Sequence, residues 1–401
     1  MIIFHETTRL STMPEEPFFL DDILQPIKIF IRFNGLHNGF FSPFEEHRVF
    51  YITRCVSTVV IVFLVLSIGV YETVQFGFQF SNMTKISDIS LNASTSISFY
   101  MVVNFLIQFY GNKTQYSEFF EDWKQVEMFV DYRTSTKNQM IKKGISMLIY
   151  GMMLSSFIMV LFLNSYYPDN SIFLSHWKIL REKLGIHILI LIMSVWGYFS
   201  TFFVWFSESV PVLFFHEAGC MIEKLGQELE NISLSAHREH SDLCMTNENP
   251  FLLIWKKYES IQRSVDRANK LFGFTMIINQ FIFICFACLI IYVILADHDS
   301  DMHKSFFMQL PLSVFRIVMS NRLMSHLYLS GVELKKIAAG TLSEQWFLLS
   351  QEDRDIVACF LSRVDGSLAA CPLNLYTVDP TNILSLLTLH ISYVIVLLQS
   401  H

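Results

Sequence analysis

The chain has 401 residues, of which 52% are hydrophobic and only 16% charged, with a formal net charge of −7. Soluble domains carry roughly 25% charged residues, so this balance and a mean hydropathy of +0.40 exclude an ordinary water-soluble domain. No basic face interleaves with aromatics, which excludes nucleic acid as a partner.

Residues 1–48 carry Glu6, Glu15, Glu16, Asp21 and Asp22 and lack a basic stretch followed by an apolar one. They read as a cytoplasmic N-terminal segment rather than a cleaved signal peptide, so the first spanning helix is expected to direct insertion. Crossing about 30 Å of hydrocarbon takes about 20 apolar helical residues. Six stretches qualify: 50–71, 93–110, 144–166, 184–206, 271–295 and 381–400. A seventh, 306–322, is weaker because it contains Pro311, Arg316 and Asn321. The expected fold class is an all-α membrane protein with seven transmembrane helices over residues 49–401.

Charge sets the orientation, since cytoplasmic segments collect Lys and Arg. With the N-terminus inside, the inner segments hold 21 of the 29 Lys and Arg residues, whereas the outer ones hold only Lys85, Lys178, Arg181, Lys183 and Lys304. The topology is therefore inverted, with a cytoplasmic N-terminus and an extracellular C-terminus. With the last predicted span reaching residue 400, no cytoplasmic signalling tail is expected. Asn82 and Asn92 stand in sequons of the first outer loop and are the candidate glycosylation sites; the sequons at Asn112 and Asn231 fall inside.

The long polar segments are all inner. Apolar positions at helical spacing (Val212, Phe215, Met221, Ile222, Leu225, Leu229) predict that 207–232 prolongs the fourth span, with Pro211 kinking the helix. Residues 250–270 predict a second amphipathic helix running into the fifth span, with Leu253, Trp255, Tyr258, Ile261, Val265 and Leu271 on its buried face. The polar break lies at 235–250. A third amphipathic segment, 342–364, precedes the last span. These extensions, about 207–270 and 331–380, are expected to stack into a cytoplasmic helical bundle.

Enzymatic signatures are absent, and the clear spans hold no paired carboxylates or Ser/His pair, so no catalytic residue is expected. No cofactor or metal is called for. His237 and His240 read as a solvated loop, Cys285 and Cys288 as packing residues inside a span, and no structural disulfide is predicted. Asp297–His303 is expected to join spans five and six outside. Its oxygen and imidazole groups offer a divalent-ion site, but it is read first as a solvated acidic loop or, around a pore, as a region that concentrates cations. Arg316, near mid-span, either faces a ligand pocket or lies at the interface. Tyr100, Trp196, Tyr292, Phe306 and Gln309 supply aromatic and amide groups in the outer halves of the spans. With Arg316 they are the candidate ligand-binding residues.

The last span carries the register Ser392-Tyr393, five apolar residues, then Gln399-Ser400. It resembles the ending of the insect-type gustatory and odorant receptor superfamily, including its nematode gustatory-receptor-like members: Thr-Tyr, five apolar residues, Gln-Phe. Tyr393 and Gln399 match, while Ser392 and Ser400 depart. Asn269, Phe272 and Gly273 entering the fifth span, and Pro372-Leu373-Asn374 before the last, resemble further family motifs. The resemblance implies a chemosensory receptor that is a ligand-gated, non-selective cation channel in the plasma membrane of sensory neurons. It implies a homo- or hetero-tetramer whose last helices line the pore, with Val396 at the constriction and Tyr393 and Gln399 beside it. Small molecules or, in an alternative reading, light or oxidants are the stimulus, and cations the permeant ions. The rival reading is a G-protein-coupled receptor, against which stand the scrambled Asp131-Tyr132-Arg133 and the inverted charge pattern.

Overall fold

The computed structural model describes residues 113–131, 185–235, 249–296, 301–344, 347, 349–364 and 368–399, with isolated positions between 24 and 103. The described regular structure is helical. It comprises α1 (Lys113–Val130), α2 (Ile186–Ser235), α3 (Pro250–Ala296), α4 (Asp301–Glu344), α5 (Gln351–Arg363), a single 3-10 turn (Pro372–Asn374) and α6 (Asn382–Gln399). The predicted spans at 50–71, 93–110 and 144–166 lie almost wholly outside the described residues.

Three of these helices are long because sequence signals that stop a helix are missing where the apolar stretches meet the amphipathic ones. α2 continues through Pro211 as predicted, and α3 joins the amphipathic 250–270 directly to the apolar stretch that follows. α4 runs unbroken past Pro311, so the weak seventh stretch is part of a 44-residue helix. From Ile186 to Ser207, and from Leu271 to Ala296, α2 and α3 contain no Asp, Glu, Lys or Arg. Among the described residues no helix is long and apolar enough to cross a membrane.

Helix starts follow capping chemistry. Asn249 precedes Pro250, and its Oδ1 accepts the amides of Phe251 (2.9 Å) and Leu252 (3.4 Å). Ser350 caps α5 by accepting the Asp353 amide at 3.1 Å and donating to the Asp353 carboxylate at 2.7 Å.

The core lies where α1 to α5 pack together, below the apolar halves. Val212, Phe215, Met221, Ile222, Leu225 and Leu229 are all buried, as their spacing predicts. Aromatic rings fasten three helices: Phe214 of α2 meets Trp123 and Phe119 of α1 with centroids 4.5 and 4.9 Å apart, and Phe119 meets Phe272 of α3 at 5.5 Å. Charged contacts close the rim. Lys224 donates to the carbonyls of Val130 and Asp131 at the C-terminus of α1, and Lys257 pairs with Glu228 at 2.8 Å.

Three expectations change. Residues 342–364 are not one amphipathic segment: α4 ends at Glu344 and α5 begins at Gln351, where Ser350 supplies a new cap. Asp301 to His303 belong to the first turn of α4 rather than to a loop, in keeping with the preference of acidic residues for helix N-termini. On α3 the buried face is set by Phe251, Ile254, Tyr258, Ile261 and Val265; Trp255 sits at its edge, its indole N–H donating to Glu259 at 3.1 Å. α1 was not anticipated, although Tyr116, Phe119, Trp123, Val126 and Val130 repeat at helical spacing and are buried.

Candidate functional site

The described functional geometry centres on how the last helix is seated. Residues 368–381 leave α5 and lie against α3 before α6 begins. Asn269 of α3 acts as a two-sided clamp: its Nδ2–H donates to the Ala369 carbonyl at 3.1 Å, and its Oδ1 accepts the Cys371 amide at 2.7 Å. One turn further along α3, Gly273 admits the 3-10 turn; a Cβ there would stand 2.7 Å from the Leu373 backbone nitrogen. Leu373 and Asn374 hold φ of 49° and 57°, the left-handed region that non-glycine residues rarely occupy. Thus Asn269, Gly273 and the Pro372-Leu373-Asn374 turn, one hundred residues apart, form a single joint.

The joint continues into a polar network. The Tyr376 hydroxyl donates to Gln280 of α3, and Gln280 Nε2–H donates to Asn321 of α4 at 3.2 Å. Burial pushes the Tyr376 hydroxyl up to about 12, so it stays protonated as a donor. Asn279 donates to Ser207 of α2 at 3.0 Å. Arg316 of α4, only 4% exposed, pairs with Glu208 of α2, and the Ser320 hydroxyl donates to the same carboxylate at 2.7 Å. Satisfied networks of this kind fix helix register, since any slip leaves a buried polar group without its partner. Between these groups lies a cavity of about 30 Å³, lined by Glu208, Asn279, Gln280, Ser320 and Asn321 among others. That is room for about two waters and too little for an organic ligand.

α6 itself starts at a second Asx-Pro step. Asp379 precedes Pro380 and accepts the amides of Thr381 (2.7 Å) and Asn382 (3.1 Å) and the Thr381 hydroxyl (2.6 Å). The Thr381 hydroxyl and the two amides hold its carboxyl below the usual carboxylate range. Along α6, Ser385, Thr388, Ser392, Val396 and Gln399 recur at intervals of three and four, so they share one helix face, and all are exposed. The three hydroxyls donate back to carbonyls four residues earlier: Ser385 to Thr381 at 3.4 Å, Thr388 to Leu384 at 2.9 Å and Ser392 to Thr388 at 2.9 Å. Each hydroxyl hydrogen is therefore committed, and oxygen lone pairs face outward. Val396, 59% exposed, interrupts this stripe with an apolar step.

The sequence-derived candidates separate accordingly. Val396 and Gln399 share the exposed face of α6; the Tyr393 side chain lies outside the description. Trp196 is carried by α2, Tyr292 by α3, and Phe306 and Gln309 by α4, again with side chains outside the description, as are Tyr100, Asn82 and Asn92 altogether. Arg316 is placed against Glu208, a partner that sequence reasoning did not single out. Two adjacent amides, Asn279 and Gln280, inside an apolar stretch were the available signal for the network.

The class these features define is a long-helix α-bundle whose last helix hangs from a clamped linker. No protein-family model matches the sequence, and no curated relative does. Among solved structures the chain is similar to the insect olfactory receptor OR5 from Machilis hrabei in complex with eugenol. The TM-score is 0.64 at 14% identity, over 95% of this chain and 99% of that one. A second structure of the same receptor gives a TM-score of 0.62 at 14% identity and the same coverage. The chain thus shares the fold of an insect olfactory receptor over nearly its whole length.

Proposed function

We propose that the protein is a chemosensory receptor-like channel: a multi-pass protein of the plasma membrane in which α6 lines a cation path at the centre of a tetramer. The observation that carries this reading is the exposed stripe Ser385, Thr388, Ser392, Val396 and Gln399. Outward lone pairs and an amide replace part of a passing cation's hydration shell, and a ring of valines closes the path by excluding water. The shared fold supports it, as does the position of exposed apolar side chains. Phe63, Phe281 and Leu384 are 73%, 65% and 68% exposed, and all belong to sequence-predicted spans, where lipid or a neighbouring copy covers them.

A small apolar molecule is the proposed stimulus, since the structurally similar receptor is in complex with eugenol. Tyr100, Trp196, Tyr292, Phe306 and Gln309 are its proposed contacts, with Arg316, held by Glu208, as a further proposed contact. Asn82 and Asn92 are proposed as glycosylated outer-loop sites.

The test is whole-cell recording from cells expressing the chain, before and during application of phenolic odorants such as eugenol, and under illumination. Val396→Ser is expected to produce a standing cation leak without stimulus, with Gln399→Ala changing conductance. A Val396→Ser protein that reaches the surface, with its C-terminal epitope accessible from outside, yet passes no more current than wild type sinks the pore assignment.

A further inference from the structure

Away from the linker joint, α2 and α4 bring together a second set of side chains that sequence reasoning did not connect. His216, Cys220 and Glu223 recur at four- and three-residue steps on α2 and so share a face. Opposite them stands His326 of α4. The ring of His326 lies 4.7 Å from that of His216, centroid to centroid, and its Nε2 is 2.9 Å from the Glu223 carboxylate. Cys220 Sγ is 3.9 Å from His216 Nε2, and donor atoms of His216, Cys220 and His326 all lie within 4.8 Å of one another.

The tautomer of His326 follows from its neighbour. Glu223 can only accept, so the neutral imidazole carries its proton on Nε2 and donates it to the carboxylate, which leaves Nδ1 with a lone pair. That Nδ1 is buried and has no hydrogen-bond partner. It points at the α2 backbone beside Cys220: a Cβ on Gly219 would stand 2.5 Å from it, so the absence of a side chain at Gly219 is what lets the imidazole approach. An imidazole with one nitrogen held by a carboxylate and the other buried without a partner, beside a thiol and a second imidazole, is the arrangement of a metal ligand with its outer partner.

We infer that His216, Cys220 and His326 bind one zinc ion that clips α2 to α4, with Glu223 orienting His326. Two imidazoles and a thiolate suit a borderline-soft ion with tetrahedral preference, leaving the fourth position to water. Donor atoms around tetrahedral zinc stand roughly 3.3–3.6 Å apart, so the ligands close by about 1 Å on binding, which side-chain rotation supplies. Binding releases the Cys220 proton to solvent, and Glu223, half-exposed, lies on the open side from which the ion enters. The site stands on the described helices and does not depend on the channel reading.

The experiment uses the full chain in detergent. After exposure to limiting zinc and desalting, about one zinc per chain is expected by mass spectrometry, and cobalt in its place should give a thiolate charge-transfer band in the near ultraviolet. Cys220→Ser should abolish that band, and His326→Gln, whose amide keeps a donor for Glu223, should weaken zinc binding at least tenfold. On the unaltered protein, zinc should slow alkylation of Cys220 at least tenfold and leave the exposed Cys359 unchanged. Absence of bound zinc, a cobalt–thiolate band that survives Cys220→Ser, or equal alkylation rates with and without zinc each overturns the inference.

Discussion

Gly273→Ala tests the linker joint most directly. The added Cβ would stand 2.7 Å from the Leu373 backbone nitrogen and 3.3 Å from its Cγ and Cδ2. Relief to an ordinary contact of 3.4 Å requires the turn to lift by about 0.7 Å. A flexible side chain would swing aside, but the obstacle is backbone, fixed on one side by Asn269 at Ala369 and Cys371 and on the other by Tyr376 at Gln280. Overpacking of this kind costs about 1–3 kcal/mol, against which alanine's helix propensity returns about 1 kcal/mol. A net loss of up to about 2 kcal/mol is expected. Gly340 supplies the control, because nothing lies within 4 Å of its added Cβ; there alanine should stabilise by up to about 1 kcal/mol. Thermal unfolding of the detergent-solubilised chain, followed by tryptophan fluorescence, reads both. Equal or same-signed shifts for the two variants would refute the close approach.

Asn269→Ala removes both clamp bonds and leaves the Cys371 amide and Ala369 carbonyl without that partner. A loss of about 2–3 kcal/mol is expected, with faster protease cleavage between residues 364 and 381. Arg316→Met leaves Glu208 as an uncompensated, largely buried charge and should destabilise by about 3–5 kcal/mol, whereas pairing it with Glu208→Gln should recover most of the loss. Failure of the second change to rescue the first would show that the pair is not the cause. Asp379 has a folded-state value below its ordinary one near 3.9, so its stabilising effect is full above that pH and is lost as pH falls through the lower, folded value. The gap in unfolding temperature between wild type and Asp379→Ala should therefore narrow only below about pH 4; a gap that persists unchanged to pH 2 would mean that the carboxylate is not responsible.

Much of this was legible in the chain because the signals are local. Val212 to Leu229 announce the inner half of α2 by period alone, whereas the caps at Asn249-Pro250 and Asp379-Pro380 come from the structure. The Asn269, Gly273 and Pro372-Leu373-Asn374 motifs were visible as a family resemblance, but their meaning was not, because each is half of one contact. The same holds for Glu208 with Arg316 and for His216 and Cys220 with His326: each side looks like an isolated polar residue until packing brings its partner from about a hundred positions away. The break between Glu344 and Gln351 was missed for a different reason. Apolar spacing runs through it, and only the Ser350 cap decides for two helices rather than one.

The linker touches α3 at Asn269, Gly273 and Gln280, points spread over about 16 Å of one helix. Three fastenings along a line remove sliding and swivelling alike, so the foot of α6 travels wherever α3 travels. α3, at 47 residues, is a rod about 70 Å long. A small tilt applied at its far end therefore becomes a lateral displacement at the foot of the last helix, with the 3-10 turn acting as a rivet rather than a hinge. Any bending that frees α6 from its carrier has to occur above Asn382.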